Sequence, residues 1–228
     1  MFYERTKNSQ AHNWLIHHYC VTSVKRNLDI IKGLVLDIGC GEQPYKEILS
    51  TRAEKIIGID HVSIVSSMSQ VDVAGEAMRL PFKGESFDAV VSFQVMEHLP
   101  EPLEFLKEIR RVLKTGGHVL LTTPFMWGEH SEPYDFFRYT RYGLKYLSEK
   151  AGLSVISISP DTKYWSTAVL RFNYYLWRFA VKFPVLKILI KPFVWLDQFA
   201  ALLMDKLPHN YTIDTSTFTT LLKKDNIC

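Results

Sequence analysis

Residues equipped for chemistry first gather in the run Val35-Leu36-Asp37-Ile38-Gly39-Cys40-Gly41. Glycines placed directly after an apolar run let the backbone turn tightly and approach a ligand more closely than any side chain permits. A plain turn uses the same residues, so the run needs support from elsewhere. Pro44 stands where the third glycine of the G-x-G-x-x-G fingerprint belongs. That departure disfavours a nicotinamide dinucleotide and leaves a nucleoside without pyrophosphate. Asp60 closes a second apolar run, Ile56-Ile57-Gly58-Ile59-Asp60. A carboxylate there accepts both hydroxyls of a ribose, although a surface aspartate or a helix cap reads the same way. Cys40 lies within the glycine turn, where a small packing side chain is expected rather than a nucleophile.

Two further groups carry titratable side chains. In Gln94-Val95-Met96-Glu97-His98, His98 either acts as a general base or shapes a helix start beside the pocket. One carboxylate and one imidazole are too few for a magnesium site, so no metal is expected. Further on, His130, Asp135 and Arg138 supply a base, an orienting carboxylate and an anion contact. Alternatively, Asp135 and Arg138 form a structural i, i+3 pair on a short helix.

These residues need elements to position them. Residues 11 to 32 read as a helix, with Trp14, Leu15, His18, Tyr19, Val21, Val24, Leu28 and Ile31 at three-to-four spacing and Gly33 as the stop. Leu34 to Ile38, Ile56 to Asp60, Ala89 to Phe93 and His118 to Thr123 read as strands buried on both faces. Pro102 to Leu113 is an amphipathic helix, and Thr115-Gly116-Gly117 is expected to turn into the next strand. Tyr142 to Ala151 reads as a helix, Leu153 to Ser159 as a strand, and Tyr211 to Leu222 as the final strand. Strands alternating with helices predict an α/β fold with a doubly wound, mostly parallel sheet and a helical insertion before the last strand. The expected organisation is an N-terminal helical segment over 1–32, an α/β core over 33–160, a basic aromatic insertion over 161–208, and the core's final strand over 209–228.

Composition narrows the partners. Hydrophobic residues at 47% and charged residues at 22% fit a globular chain with an ample core. A net charge of +3 is too small to argue for nucleic acid. Three widely spaced cysteines without a C-x-x-C pair suggest neither a disulfide framework nor zinc, and fit a reducing cytoplasm. No apolar leader opens the chain. Residues 163 to 207, however, hold seven basic residues against Asp197 and Asp205, a formal +5. On a helical projection from Ser166 to Phe183, Val169, Phe172, Leu176, Phe179, Ala180 and Phe183 fall within about 100° of arc, with Arg171, Arg178 and Lys182 away from it. Such a face suits a helix lying in a membrane interface, a lid over the pocket, or a dimer contact. It contains no run long enough to span a bilayer.

From about Leu34 to Gly152 the chain resembles the class I S-adenosylmethionine-dependent methyltransferases, specifically the type 11 group. The resemblance rests on Val35 to Gly41, Gly58-Ile59-Asp60, Ala77-Met78-Arg79-Leu80-Pro81-Phe82, Ser86-Phe87-Asp88-Ala89-Val90 and Met96-Glu97-His98-Leu99, in family order and spacing. Val112 to Gly117 extends it. It implies a seven-stranded Rossmann-like sheet and S-adenosylmethionine as cofactor. Asp37 with Gly39, Cys40 and Gly41 would hold the methionine part, Asp60 the ribose, and His61 would lie near the adenine. Glu76 falls where the family commonly has an aspartate for the adenine amino group, with Asp72 as fallback and the Ala77 N–H on the ring. Phe93 and Gln94 would flank the methionine portion. Quinone-biosynthetic relatives carry a Glu-Met-Leu-Glu-His run linked to metal-dependent O-methylation; here Gln94 replaces the first carboxylate. His130 to Thr140 resembles a segment of a bacterial subgroup of type 11 enzymes.

The expected activity is methyl transfer, mainly to oxygen, on a small or lipid-linked metabolite, with His98, His130 and Asp135 as catalytic candidates. The rival readings are a non-catalytic nucleoside-binding subunit and an NAD-dependent oxidoreductase. A cytoplasmic location is expected, with peripheral contact to the inner membrane face through residues 163 to 207. Neither the acceptor nor the oligomeric state follows from the residues.

Overall fold

The structure, a computed structural model, describes residues 12–61, 70–207 and 214–226. Seven strands form one sheet: β1 (Leu34–Ile38), β2 (Lys55–Asp60), β3 (Val73–Ala74), β4 (Phe87–Phe93), β5 (Leu113–Pro124), β6 (Ser154–Pro160) and β7 (Thr217–Lys223). Their spatial order is β3-β2-β1-β4-β5-β7-β6. The first five run parallel, while β7 pairs antiparallel with both β5 and β6. Parallel neighbours need crossover connections, and these put helices on both faces. The helices are α1 (Trp14–Arg26), the single turn α2 (Lys46–Leu49), α3 (Pro102–Val112), α4 (Arg141–Lys150), α5 (Tyr164–Ala180), α6 (Pro184–Leu189) and α7 (Lys191–Met204).

Side-chain alternation along the strands builds two cores. Leu36 and Ile38 of β1, Val90 of β4, and Val119 and Leu121 of β5 face Phe105, Leu106 and Ile109 of α3 and Leu144 of α4. Their neighbours Val35, Ala89, Val91 and Leu120 face Cys20, Val21 and Val24 of α1. That is why the central strands read as continuous apolar runs rather than alternating ones.

Several boundaries differ from expectation: α1 ends at Arg26 rather than near residue 32, and β7 begins at Thr217 rather than Tyr211, with residues 211–213 outside those described. Thr115-Gly116-Gly117 does not separate β5 from the preceding helix but lies inside a strand that begins at Leu113. Gly116, at φ +81°, donates its N–H to the Lys224 carbonyl at 2.7 Å, and the Lys224 N–H returns to Gly117 at 3.0 Å. The end of β7 thus captures the bend as a ladder irregularity.

The insertion also packs differently. In α5, the buried residues are Ser166, Thr167, Leu170, Asn173 and Ala180, whereas Phe172 and Phe179, and Phe183 just beyond the helix, are each about half exposed, at 52%, 54% and 51%. Leu170 joins Trp14 and Leu15 of α1 and Ala201 of α7 in a small third core. Polar side chains occupy the seam because they make specific bonds across it. Asn173 donates to Asp197 at 2.9 Å, and Gln198 accepts the Leu15 N–H at 3.2 Å. Asp205, just after α7, receives the N–H groups of Trp165 (3.0 Å) and Ser166 (3.2 Å) and the Ser166 hydroxyl. It caps α5 from another element, satisfying donors that the first helical turn leaves open. Asp205→Ala is expected to lower unfolding stability by about 2 kcal/mol in urea titration and to speed proteolytic cleavage within residues 163 to 207; an unchanged midpoint and cleavage rate would show that the cap contributes nothing.

Candidate functional site

The strand order reverses beside β1, which has β2 on one side and β4 on the other. Ligands of open α/β sheets bind in the crevice at such a point, outside the carboxyl ends of the strands. Here the chain leaves β1 through Gly39 and Gly41, at φ +68° and +50°. A Cβ on Gly39 would sit 2.2 Å from Val95 Cγ2, so no larger residue fits between this turn and the end of β4. The Gly39 and Cys40 N–H groups donate to the Ile59 carbonyl at 2.9 and 3.2 Å. Asp60 then closes the turn. One carboxylate oxygen accepts the Gly41 N–H and the other the His61 N–H, each at 2.7 Å. Each oxygen keeps acceptor capacity for a ligand hydroxyl.

Beside this turn lies a cavity of about 190 Å³ lined in part by Asp37, Gly39, Cys40, Phe93 and Gln94, which are thereby brought together. Its opposite wall is Ile16, His17 and Cys20 of α1, with Tyr45 and Pro44 between. The helix pattern in the sequence places those three α1 residues on one face but gives no sign that the face covers a pocket. Burial pushes the Asp37 carboxyl up to about 7, reinforced by the charge of Asp60 and opposed by Lys46. Burial, followed by the charges of Asp37, Asp60 and Asp72, pushes the Cys40 thiol up to about 12, so it is no thiolate nucleophile near neutral pH.

At the β2–β3 end, His61 Nε2 lies 2.9 Å from Glu76 Oε1, both side chains being about half exposed. Asp72 is committed elsewhere: it accepts the Gly58 N–H at 2.8 Å, with the Gln43 amide at 3.4 Å. Ala77 packs against the larger core. Gln94, at φ +57°, sends its side-chain amide to the Thr122 hydroxyl at 3.1 Å.

Past β4, a 3₁₀ turn over Met96–His98 carries the second group. His98 Nδ1 lies 2.6 Å from the Tyr134 carbonyl, and its ring stands edge-on to His130 with centroids 4.9 Å apart. Burial holds the His98 pKa below its ordinary value, keeping the ring neutral at pH 7, although the Tyr134 carbonyl opposes that shift. Glu97 is fully buried, and neither carboxylate oxygen accepts a hydrogen bond. Burial pushes its carboxyl up to about 8, against its own backbone amide and the charge of Arg138. The run of sequence identifies Glu97 as a neighbour of His98 but does not indicate this burial.

The expected short helix around Asp135 and Arg138 is absent, and residues 135–140 are irregular. Arg138 instead grips Asp135 with two bonds of 2.7 Å. It also donates to the carbonyls of Trp127, Gly128 and Phe137 at 3.1, 2.7 and 2.8 Å. This guanidinium braces its own loop, so the structural-pair reading holds in geometry and its donors are not free for an acceptor anion. Asp135 accepts the His130 N–H at 2.8 Å, and Arg138 holds its carboxyl well below the usual range. Asp135 therefore orients the His130 segment and cannot serve as a base near neutral pH. A second cavity, of about 380 Å³, opens between this loop and α5, where Trp127, Glu129 and Glu132 face Arg171, Tyr174 and Arg178.

Residues 36–121 match the family model described as a methyltransferase domain. Over 96 residues the chain is 36% identical to a probable S-adenosylmethionine-dependent methyltransferase of Mycolicibacterium smegmatis, covering 40% of this chain and 37% of that one. It is 24% identical over 122 residues to a ubiquinone biosynthesis O-methyltransferase of Stutzerimonas stutzeri, covering 49% of each. The matches thus span between about a third and a half of these curated relatives. Among solved structures, a SAM-dependent methyltransferase from Archaeoglobus fulgidus superposes with a TM-score of 0.59 at 16% identity, over 91% of this chain and 94% of that one. The [4+2]-cyclase SpnF superposes with a TM-score of 0.56 at 22% identity, over 88% and 80%. At such identities only the fold is shared. Residues 36–121 are thus similar to methyltransferase domains, and the sheet built around them has the fold of solved S-adenosylmethionine-dependent methyltransferases.

Proposed function

We propose that this chain transfers the methyl group of S-adenosylmethionine to an oxygen of a small or lipid-linked metabolite, with nitrogen and carbon as less favoured acceptors. The observation that carries the reading is the glycine turn clamped by Asp60 at the sheet's switch point, opening onto a cavity. In this reading Asp37 and the Gly39-Cys40-Gly41 turn hold the methionine portion, with Phe93 and Gln94 beside it. Asp60 binds the ribose hydroxyls; His61, Glu76 and the Ala77 N–H surround the adenine. The core over 33–160 and 209–228 carries cofactor binding, and α1 closes the cofactor cavity through Ile16, His17 and Cys20.

When bound, the cofactor supplies a sulfonium-activated methyl, so the protein's own task is alignment and exclusion of water. His98, neutral and about a quarter exposed in its side chain, takes the acceptor's proton. His130 flanks it, and Asp135 positions His130 through its backbone. The cavity between Trp127 and Arg178 admits the acceptor.

No helix among the described residues is long and apolar enough to cross a membrane. The insertion over 161–208 nevertheless leaves Phe172, Phe179, Phe183, Ile188, Leu189 and Leu203 exposed. Cations on the same segment, Arg178, Lys182, Lys191 and Lys206, complement anionic headgroups. The reading is therefore a cytoplasmic enzyme whose insertion rests on the inner membrane surface and receives a lipid-linked acceptor there.

Calorimetry with S-adenosylmethionine, its demethylated product and NADH tests the central claim. Binding of the first two is expected, with Asp60→Ala weakening both at least 10-fold, roughly 1.4 kcal/mol, while circular dichroism stays native. Tight NADH binding without response to the other two would overturn it. Asp37, at about 7 without ligand, will ionise as the cationic cofactor arrives. Binding then releases a proton below pH 7, and affinity rises with pH up to about 7 and levels off above. Asp37→Asn should flatten that profile; a profile identical to wild type removes Asp37 from the site. Flotation with anionic vesicles is expected to carry the protein up, and Phe172→Ser with Phe179→Ser to reduce it severalfold. Unchanged flotation, or dimer dissociation in its place, would reassign the exposed face.

A further inference from the structure

The cavity of about 380 Å³ between α5 and the loop after β5 is lined by charges of both signs that do not meet. Arg171, Tyr174 and Arg178 line it from one face of α5, at i, i+3 and i+7 spacing. Glu129 and Glu132 line it from the loop. Neither guanidinium pairs with either carboxylate. Among the described residues Arg178 has no hydrogen-bond partner, and Arg171 reaches the Met126 carbonyl through one long bond of 3.4 Å. Trp127 and Tyr174, with ring centroids 5.3 Å apart, add aromatic lining. The loop also carries His130, whose Nδ1 lies 3.2 Å from the Gly128 carbonyl and whose ring stands against His98. A ligand in this cavity is therefore bound by the same loop that adjoins the proposed base.

Opposed walls select a ligand with two unlike ends. Two carboxylates repel a plain anion, and a neutral polyol leaves the guanidinium donors to water. A phosphate ester of a hydroxyl-rich ring satisfies both walls. Guanidinium forks match phosphate oxygens in pairs, carboxylates accept hydroxyl protons, and the carbon face of the ring lies on aromatic surface. We propose that this cavity binds a phosphorylated sugar or cyclic polyol, its phosphate on Arg171 and Arg178 and its hydroxyls on Glu129 and Glu132, and that this compound is the methyl acceptor. One ring hydroxyl gives its proton to His98, its oxygen bonds to the methyl carbon, and the sulfur keeps the electron pair of the broken S–C bond. The acceptor role rests on the methyl-transfer reading; the binding does not. Phe172, Tyr175 and Phe179 form an exposed stripe beside the cavity face of α5. That stripe suits a phosphate whose second ester is a lipid, and a soluble sugar phosphate offers the cavity the same contacts.

Calorimetry on the full-length protein tests the site with hexose 1-phosphates and inositol 1-phosphate, against the unphosphorylated rings, inorganic phosphate and phosphoethanolamine. At least one phosphorylated ring is expected to bind roughly 10-fold tighter than every control, and Arg178→Gln to weaken it by about the same factor. Glu129→Gln combined with Glu132→Gln is expected to weaken the phosphorylated ring severalfold while inorganic phosphate binds no more weakly. All three side chains are exposed, so these variants keep the fold. Phosphatidylcholine vesicles with and without phosphatidylinositol separate the two sources. Tighter capture of the vesicle-borne head group than of inositol 1-phosphate assigns a lipid headgroup, and the reverse order assigns a soluble sugar phosphate. Inorganic phosphate or phosphoethanolamine binding as tightly as the best phosphorylated ring overturns the proposal, as does binding unchanged in Arg178→Gln. S-adenosylmethionine binding is measured in the same samples. Its loss in the wild type would sink the methyl-transfer reading, whereas cofactor binding without preference for a phosphorylated ring overturns the cavity assignment alone.

Discussion

The carboxylate of Asp60 ties the glycine turn after β1 to the end of β2. It sits at the end of β2 yet takes the N–H of Gly41, beyond the end of β1, and that of His61 in its own chain. Two charge-assisted bonds therefore define how the glycine turn leaves the sheet, and the turn defines the floor of the cavity. A group that ties two strand ends while retaining acceptor capacity is suited to be scaffold and ligand contact at once. The nearby Asp37 is affected as well: its burial, together with the charge of Asp60, raises its proton affinity before any ligand arrives.

A second constraint governs the loop after β5. Arg138 spends its guanidinium on Asp135 and on three carbonyls, which freezes an irregular loop that no regular hydrogen-bond ladder supports. The loop is stitched to the turn before α3 through the N–H groups of Phe136 and Phe137 on the Glu97 carbonyl, at 2.9 and 3.3 Å. Rigid placement of His130 against His98 follows from these bonds.

The insertion follows another logic. Its seam is built from small and hydrogen-bonding side chains, which let helices approach and lock register, while large aromatics are left outside. Helical periodicity alone favours burying the widest apolar face. That preference loses here because Asn173, Gln198 and Asp205 have defined partners across the seam, and burying them unpaired would be costly. Sixteen large apolar or aromatic side chains between Tyr164 and Leu207 are thereby left exposed, more than scattered single residues would give.

Strand existence and the glycine turn were legible because apolar runs ending in glycine report purely local requirements: burial on both faces and a backbone free of Cβ. Asp60 was legible because its distance from the turn is set by one crossover. The α4 helix and strand β6 could be bounded within a residue or two for the same local reason. By contrast, the α1 wall of the cavity, the capture of the 115–117 bend by Lys224, and the face that α5 buries depend on partners far along the chain. So does the meeting of Glu97, His98 and His130. The sequence by itself determined the sheet's elements and the glycine turn after β1, since those follow from residue type and spacing. Only the tertiary structure decided which side chains lie in that turn's cavity and that, past β4, a buried carboxyl faces two imidazoles, because burial is a property of the packed whole and of no single run.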